Sequence, residues 1–179
     1  MSNVQSGLTG LAARLRYEFD RSFAEPPSPA PPPAIDLLEI TVAAERYALR
    51  LGDIAGLYAD QPITRLPDRV PALLGIAAPH GDSLPIYDLA VLLGGEPAAA
   101  PRWLAVAAAK PAALAFSTLH GVRRVQHDAL VPHDAPRDGR GHVRELAHTA
   151  DSTMPVVDLG ALLAAIARLS TAQSGEERG

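Results

Sequence analysis

The sequence predicts a mainly β protein: two small, pseudo-symmetric β-barrel subdomains with short helices, packed over a shared core and preceded by an amphipathic helix. Three observations predict it. Short apolar strand-like stretches run from Ile35 to about Ser170. One segment, an apolar strand leading through aspartate into a helix, occurs twice, once around Asp88 and again around Asp158. A run of prolines divides all of this from a helical N-terminus.

The N-terminal helix comes first. Leu8, Leu11, Leu15, Phe19 and Phe23, with Ala12, recur at three- and four-residue spacing and make one stripe at ~100° per residue. Arg14, Glu18, Arg21 and Glu25 fall on the other side, and Ser6 or Thr9 can cap the start. The stripe predicts a helix that docks a further protein. Its polar side is balanced in sign, unlike the Lys/Arg-rich face that an anionic membrane selects. Next comes Pro26-Pro27-Ser28-Pro29-Ala30-Pro31-Pro32-Pro33, which no helix can cross. It predicts an extended spacer. The expected division is a helix over residues 1–25, a linker over 26–34, a barrel domain over 35–170 and a disordered tail over 171–179.

Within the barrel region, Leu37–Val42 and Arg46–Leu51 predict a hairpin turning at Ala43–Glu45. Further strands are expected at Leu84–Tyr87, Trp103–Ala109, Ala112–Ser117, Gly121–Val125 and Met154–Val157. Asp88 is placed to cap a short helix, Leu89–Leu93, closed by Gly94. Asp158 is placed to cap a longer one, Leu159–Leu169. Leu84-Pro85-Ile86-Tyr87-Asp88-Leu89 and Met154-Pro155-Val156-Val157-Asp158-Leu159 are the repeated segment. Ile76-Ala77 stands to Leu146-Ala147 at the same interval, and Ala48–Leu51 stands to Ala113–Phe116 at a slightly shorter one. A symmetric repeat explains Asp88 and Asp158 as caps at the positive ends of two helices, without chemistry.

The bulk of the chain narrows the function classes. Its 179 residues suit one domain with extensions. A net charge of −4 gives no nucleic-acid footprint. There is no cysteine, which removes disulfides and thiolate metal sites. No apolar run approaches the ~18 residues of a membrane span, and the N-terminus is too charged for a signal peptide. A cytoplasmic protein is expected. No phosphate-binding loop, dinucleotide fingerprint, nucleophile elbow or zinc-protease motif is present. His127 and His133, with His142 or His148, are the residues from which a metal site would have to be assembled, and their spacing does not support one. The reading is a binding module with no catalysis, cofactor or metal.

Ile63-Thr64-Arg65-Leu66-Pro67, then Gly75-Ile76, then Gly81, then Leu84–Leu89 resembles the central signature of the CheW-like chemotaxis adaptor family, which runs roughly V-T-x-I-P, G-V-I-N-L-R-G and V-P-V-I-D-L. Gly121–Val125 and Met154–Leu159 continue the resemblance, which covers residues 35–170. It implies two five-stranded barrels, no catalysis, and a scaffold linking chemoreceptor tips to the regulatory domain of a CheA-type histidine kinase at a membrane-associated receptor array. It places Ile54, Leu57 and the turn Gly75–Gly81, including His80, at a kinase-facing barrel end, and Leu119 and Val122 in the groove that takes a receptor helix. Two departures stand out. The family's N-L-R is here Ala78-Pro79-His80, and its V-x-E-I is Ile54-Ala55-Gly56-Leu57, without the glutamate. The alternative is a placement or assembly factor for a polar array or type IV pilus system without kinase coupling.

Overall fold

The first hairpin forms where alternation dictates. In a computed structural model, which describes residues 32–66, 70–79, 81–97, 100–133 and 142–176, β1 (Ala34–Val42) pairs antiparallel with β2 (Glu45–Arg50). Leu38, Ile40 and Val42 point one way, and Leu37, Glu39 and Thr41 the other. The turn is formed by Ala43 and Ala44, both at positive φ, as a tight hairpin requires. The N-terminal positions Leu8, Leu11, Leu15, Phe19 and Phe23, the prolines up to Pro31, and His80 lie outside the described residues.

The remaining elements follow in order: β3 (Ile54–Ala59), β4 (Leu73–Ala77), β5 (Leu84–Asp88), α1 (Leu89–Leu92), β6 (Trp103–Ala107), β7 (Ala113–Phe116), β8 (Thr118–Gln126), β9 (Leu130–Pro132), β10 (Val143–His148), β11 (Thr153–Val157) and α2 (Leu159–Glu176). Single 3-10 turns, Leu51–Asp53 and His127–Ala129, precede β3 and β9. Helix α2 runs on past Ser170, where the sequence reading begins a disordered tail. Ala172, Gln173 and Glu176 are compatible with helix, and no proline stops it.

The strands form two mixed sheets, ordered β8-β1-β2-β11-β10-β9 and β3-β6-β7-β5-β4. Among the described residues no ladder joins β3 to β4 or β8 to β9, where the expected barrels would close. The repeat is realised in the register. Ile86 lies opposite Ala113 in the parallel pair β5–β7, and Val156 lies opposite Ala48 in the parallel pair β11–β2. A bulge falls between Leu73 and Gly75 on β4 and, at the equivalent place in the second half, between Val143 and Glu145 on β10. The sixth strand has a reduced counterpart, for where β9 pairs with β10 the other sheet has the single bridge Thr64–Ile76. Each sheet also takes its central hairpin from the other half of the chain. The hairpin β1–β2 joins β8 to β11, and β6–β7 joins β3 to β5.

The largest apolar cluster draws Leu38, Ile40, Leu49 and Val157 from the six-stranded sheet and Ala105, Leu114 and Phe116 from the five-stranded one, so it lies between them. Leu159, Leu162, Leu163 and Ile166 add the buried stripe of α2 at helical spacing. Smaller clusters sit on the opposite faces, one around Leu37, Val125 and Val156 and one around Ile86, Leu104 and Ala113. At ~1.5–3 kcal/mol per large side chain buried, the shared cluster is the main force holding the two sheets together.

Candidate functional site

The repeated aspartates are structural. Asp88 is fully buried and its Oδ1 accepts from the Ala90 N–H at 2.9 Å. Asp158 Oδ1 accepts from the Ala161 N–H at 2.9 Å. Their own N–H groups donate to the carbonyls of Ala72 and His142, themselves equivalent positions of the repeat, each at 2.7 Å. Two carboxylates engaged by helix N–H groups at symmetry-equivalent places are caps.

The residues expected to meet partners fall on edge strands. Ile54 and Leu57 lie on β3, half-buried against the shared core. Leu119 and Val122 lie on β8. Register makes Leu57 and Leu119 equivalent. Leu57 opposes Ala105 and Leu119 opposes Ile40, and Ile40 stands to Ala105 as Ala48 stands to Ala113. A three-residue spacing would normally send Leu119 and Val122 to opposite faces of a strand. The register shift between Glu39 and Ile40 absorbs His120, so Val122 opposes Leu38 while Leu119 opposes Ile40. Both therefore extend the face of the shared core outward to the sheet edge. Leu119 is half-buried there and Val122 is 57% exposed. Next on the same face, Asp36 opposes Arg124. Arg124 donates to it twice, Nε to Oδ1 at 2.8 Å and Nη2 to Oδ2 at 2.9 Å. That hydrogen-bonded guanidinium holds the Asp36 carboxyl below its usual range and raises Arg124 in turn.

Gly75 and Gly81 bound the expected kinase-facing turn, and they differ. Gly75 is buried at φ +142, and a Cβ there would stand 2.1 Å from the Thr64 carbonyl oxygen. Only glycine lets the Thr64–Arg65 backbone close over β4. Gly81 is exposed at φ +91, with open space around its Cα, in a turn where its N–H donates to the Ala78 carbonyl at 3.3 Å. In strand order β3 and β4 are opposite edges of the five-stranded sheet, so no ladder brings Ile54 and Leu57 beside Gly75.

Sequence reasoning missed a charged rim on the six-stranded sheet. Leu37 has Arg123 on one side and Arg50 on the other, in register across three strands. Arg123 bonds the nearly buried Glu39, and Arg50 bonds Glu145. Glu39 carried the one available signal, an acid flanked by apolar residues in the middle of β1. The histidines do not assemble: among the described residues no three His, Asp or Glu side chains are placed to hold a metal ion. A cleft of about 390 Å³ lies between the β6–β7 turn and the start of α2, lined by Gly52, Asp53, Ala107, Arg144, Asp158 and Leu163 among others. Its counterpart, about 280 Å³, lies between the β1–β2 turn and α1.

No described helix is long and apolar enough to cross a membrane. No curated protein sequence matches the chain. Among solved structures it is similar to the scaffolding protein TtCheW from Thermoanaerobacter tengcongensis, at 20% identity and a TM-score of 0.64, covering 71% of this chain and 90% of that one. That likeness is one of fold. The family model of the CheW-like domain matches residues 36–167, which takes in both sheets, the edge strands β3 and β8 and the start of α2. The chain belongs to the CheW-like domain family, a family of chemotaxis scaffolds.

Proposed function

We propose that the chain is a non-catalytic adaptor joining a chemoreceptor tip to the regulatory domain of a CheA-type histidine kinase, at the cytoplasmic face of a receptor array. The observation that carries it is the strip Leu119–Val122, which continues the core face to an open sheet edge with an exposed valine at its end. Such a strip suits the apolar stripe of a helix. The kinase-facing end is formed by Ile54 and Leu57 with the turn from Gly75 to Gly81. Gly75 supplies the backbone shape, and His80 takes the place of the family arginine. The N-terminal stripe of Leu8, Leu11, Leu15, Phe19 and Phe23 is a separate handle for a further protein.

Calorimetric titration tests this, using the kinase regulatory domain and a soluble chemoreceptor cytoplasmic fragment encoded in the same genome. Both are expected to bind. Val122→Asp weakens the receptor titration alone and leaves the melting temperature unchanged, because Val122 is exposed. Receptor binding indifferent to both Val122→Asp and Leu119→Ala sinks the groove reading. The missing glutamate and arginine favour one second reading, an assembly factor without kinase coupling. Absence of binding to the kinase domain, with receptor binding intact, would select it.

A further inference from the structure

We infer that Arg124 is the specificity-determining residue of the β8 groove, and that its occupant is an amphipathic helix carrying two apolar residues four apart and a carboxylate four residues further along the same stripe. This rests on the groove reading above and adds the partner's chemistry to it. Spacing is the first argument. Leu119, Val122 and Arg124 oppose Ile40, Leu38 and Asp36, which are successive same-face positions of β1. Same-face positions of an antiparallel strand lie ~6.8 Å apart, and i to i+4 on a helix is ~6.0 Å. A helix laid along β8 thus keeps pace with all three over two steps, drifting by less than a side chain's reach. The bulge at His120 creates the match, since without it Leu119 would face away.

Charge is the second argument. The bidentate pair with Asp36 occupies Nε and one Nη2 proton of Arg124, and a guanidinium has five donors. Three donors are left over, on a side chain 74% exposed and oriented by its two bonds to Asp36. A preoriented guanidinium with donors to spare at the end of an apolar strip favours a carboxylate over a lysine at that place.

The test uses the full chain and lactam-stapled helical peptides bearing leucine at two positions four apart and, four residues beyond, either glutamate or lysine, synthesised in both chain directions. Fluorescence anisotropy should show the better glutamate peptide binding about three- to fivefold tighter than its lysine analogue, the scale of one exposed ion pair. The preference should vanish in Arg124→Gln, shrink in 0.5 M salt and survive in Arg124→Lys at reduced size. If wild type binds the glutamate and lysine peptides alike while Val122→Ala weakens both, Arg124 does not read the partner, and the inference falls while the groove stands. Binding that ignores Val122→Ala and Leu119→Ala, or no binding to any peptide, removes the groove and the inference together.

Discussion

The two sheets share a backbone and close it differently. Superimposed by the repeat, Ala48 stands on Ala113, Val156 on Ile86 and Ala147 on Ala77, all buried and all small or aliphatic. At the rim the match ends. Glu145 stands on Gly75, Glu39 on Leu104 and Arg50 on Ala115. The five-stranded sheet is sealed by main chain pressed against a glycine. The six-stranded sheet is sealed by two ion pairs, Arg50–Glu145 and Arg123–Glu39. The difference teaches where the repeat is binding. Residues whose side chains meet the parallel pairing of β2 with β11, or of β7 with β5, have no room to diverge. Those one step further out do, provided that whatever enters is satisfied.

The largest expected break in this comparison is at Gly75. Gly75→Ala forces a Cβ into the Thr64 carbonyl and a side chain onto positive φ. It should cost about 3 kcal/mol or more, combining overpacking with backbone strain. Urea denaturation checks it, and a loss under about 1 kcal/mol, the low end for overpacking, would mean that the Thr64 loop yields freely. The counterpart is smaller. Glu145→Gln should cost about 1–2 kcal/mol by leaving Arg50 without its anion. The value is reduced from that of a fully buried pair because both side chains keep some solvent. Arg50→Met with Glu145→Leu should regain most of that loss, making the second rim resemble the first. A double mutant worse than the sum of the singles would show that charge is required there.

The caps should be less sensitive. Asp158→Ala is expected to cost about 1 kcal/mol, and Asp88→Ala somewhat more, since Asp88 and the Ala90 it caps are both buried. Paired thermal melts of the two variants check this. Equal losses would say that burial at Asp88 adds nothing.

The smallest effect is pH-dependent and confined to one half. His142 stands on Ala72. Burial and the nearby Arg168 push its pKa below the ordinary value, only partly opposed by Asp158, and its Nδ1 has no hydrogen-bond partner among the described residues. The unfolded chain therefore takes up the proton first as pH falls. Stability should be flat above about pH 6.5 and decline below it, towards the folded pKa. His142→Ala should flatten that decline in a pH series of denaturation midpoints. An unchanged slope would assign it to another group.

Much of the fold was legible because the repeat lies in residues that local rules also favour. The hairpin alternation, the Pro-to-Asp strands and the two capped helices each obey a short-range pattern. The elements missed were β3, β4, β9 and β10, and each has a local reason; β9 is three residues long and ends in Pro132. β3 reads Ile-Ala-Gly-Leu-Tyr-Ala, a weak edge pattern. β4 and β10 are interrupted by bulges that break the period of two. β8 was read from Gly121 instead of Thr118 because the bulge at His120 disguises Leu119. In the candidate site, Leu119 and Val122 came from family resemblance, and the bulge that puts them on one face was invisible in the sequence. The ion pairs were beyond reach for a plainer reason. Their partners are 84 and 95 residues apart, and no local pattern links them.

The crossed hairpins constrain how this protein is made. β2 finds its parallel neighbour only when β11 exists, and the paired Ala48 and Val156 sit near opposite ends of the domain. At ~5–20 residues per second of synthesis, β1 and β2 spend on the order of ten seconds emerged without the strands that flank them. Neither half can complete a sheet alone: folding of the five-stranded sheet waits for β7, and that of the six-stranded sheet for β11. Contacts this distant in sequence make it slow. During that interval the exposed apolar side of the first hairpin is available to chaperones, and a premature stop between β7 and β11 leaves the five-stranded sheet without the complete partner sheet that it packs against.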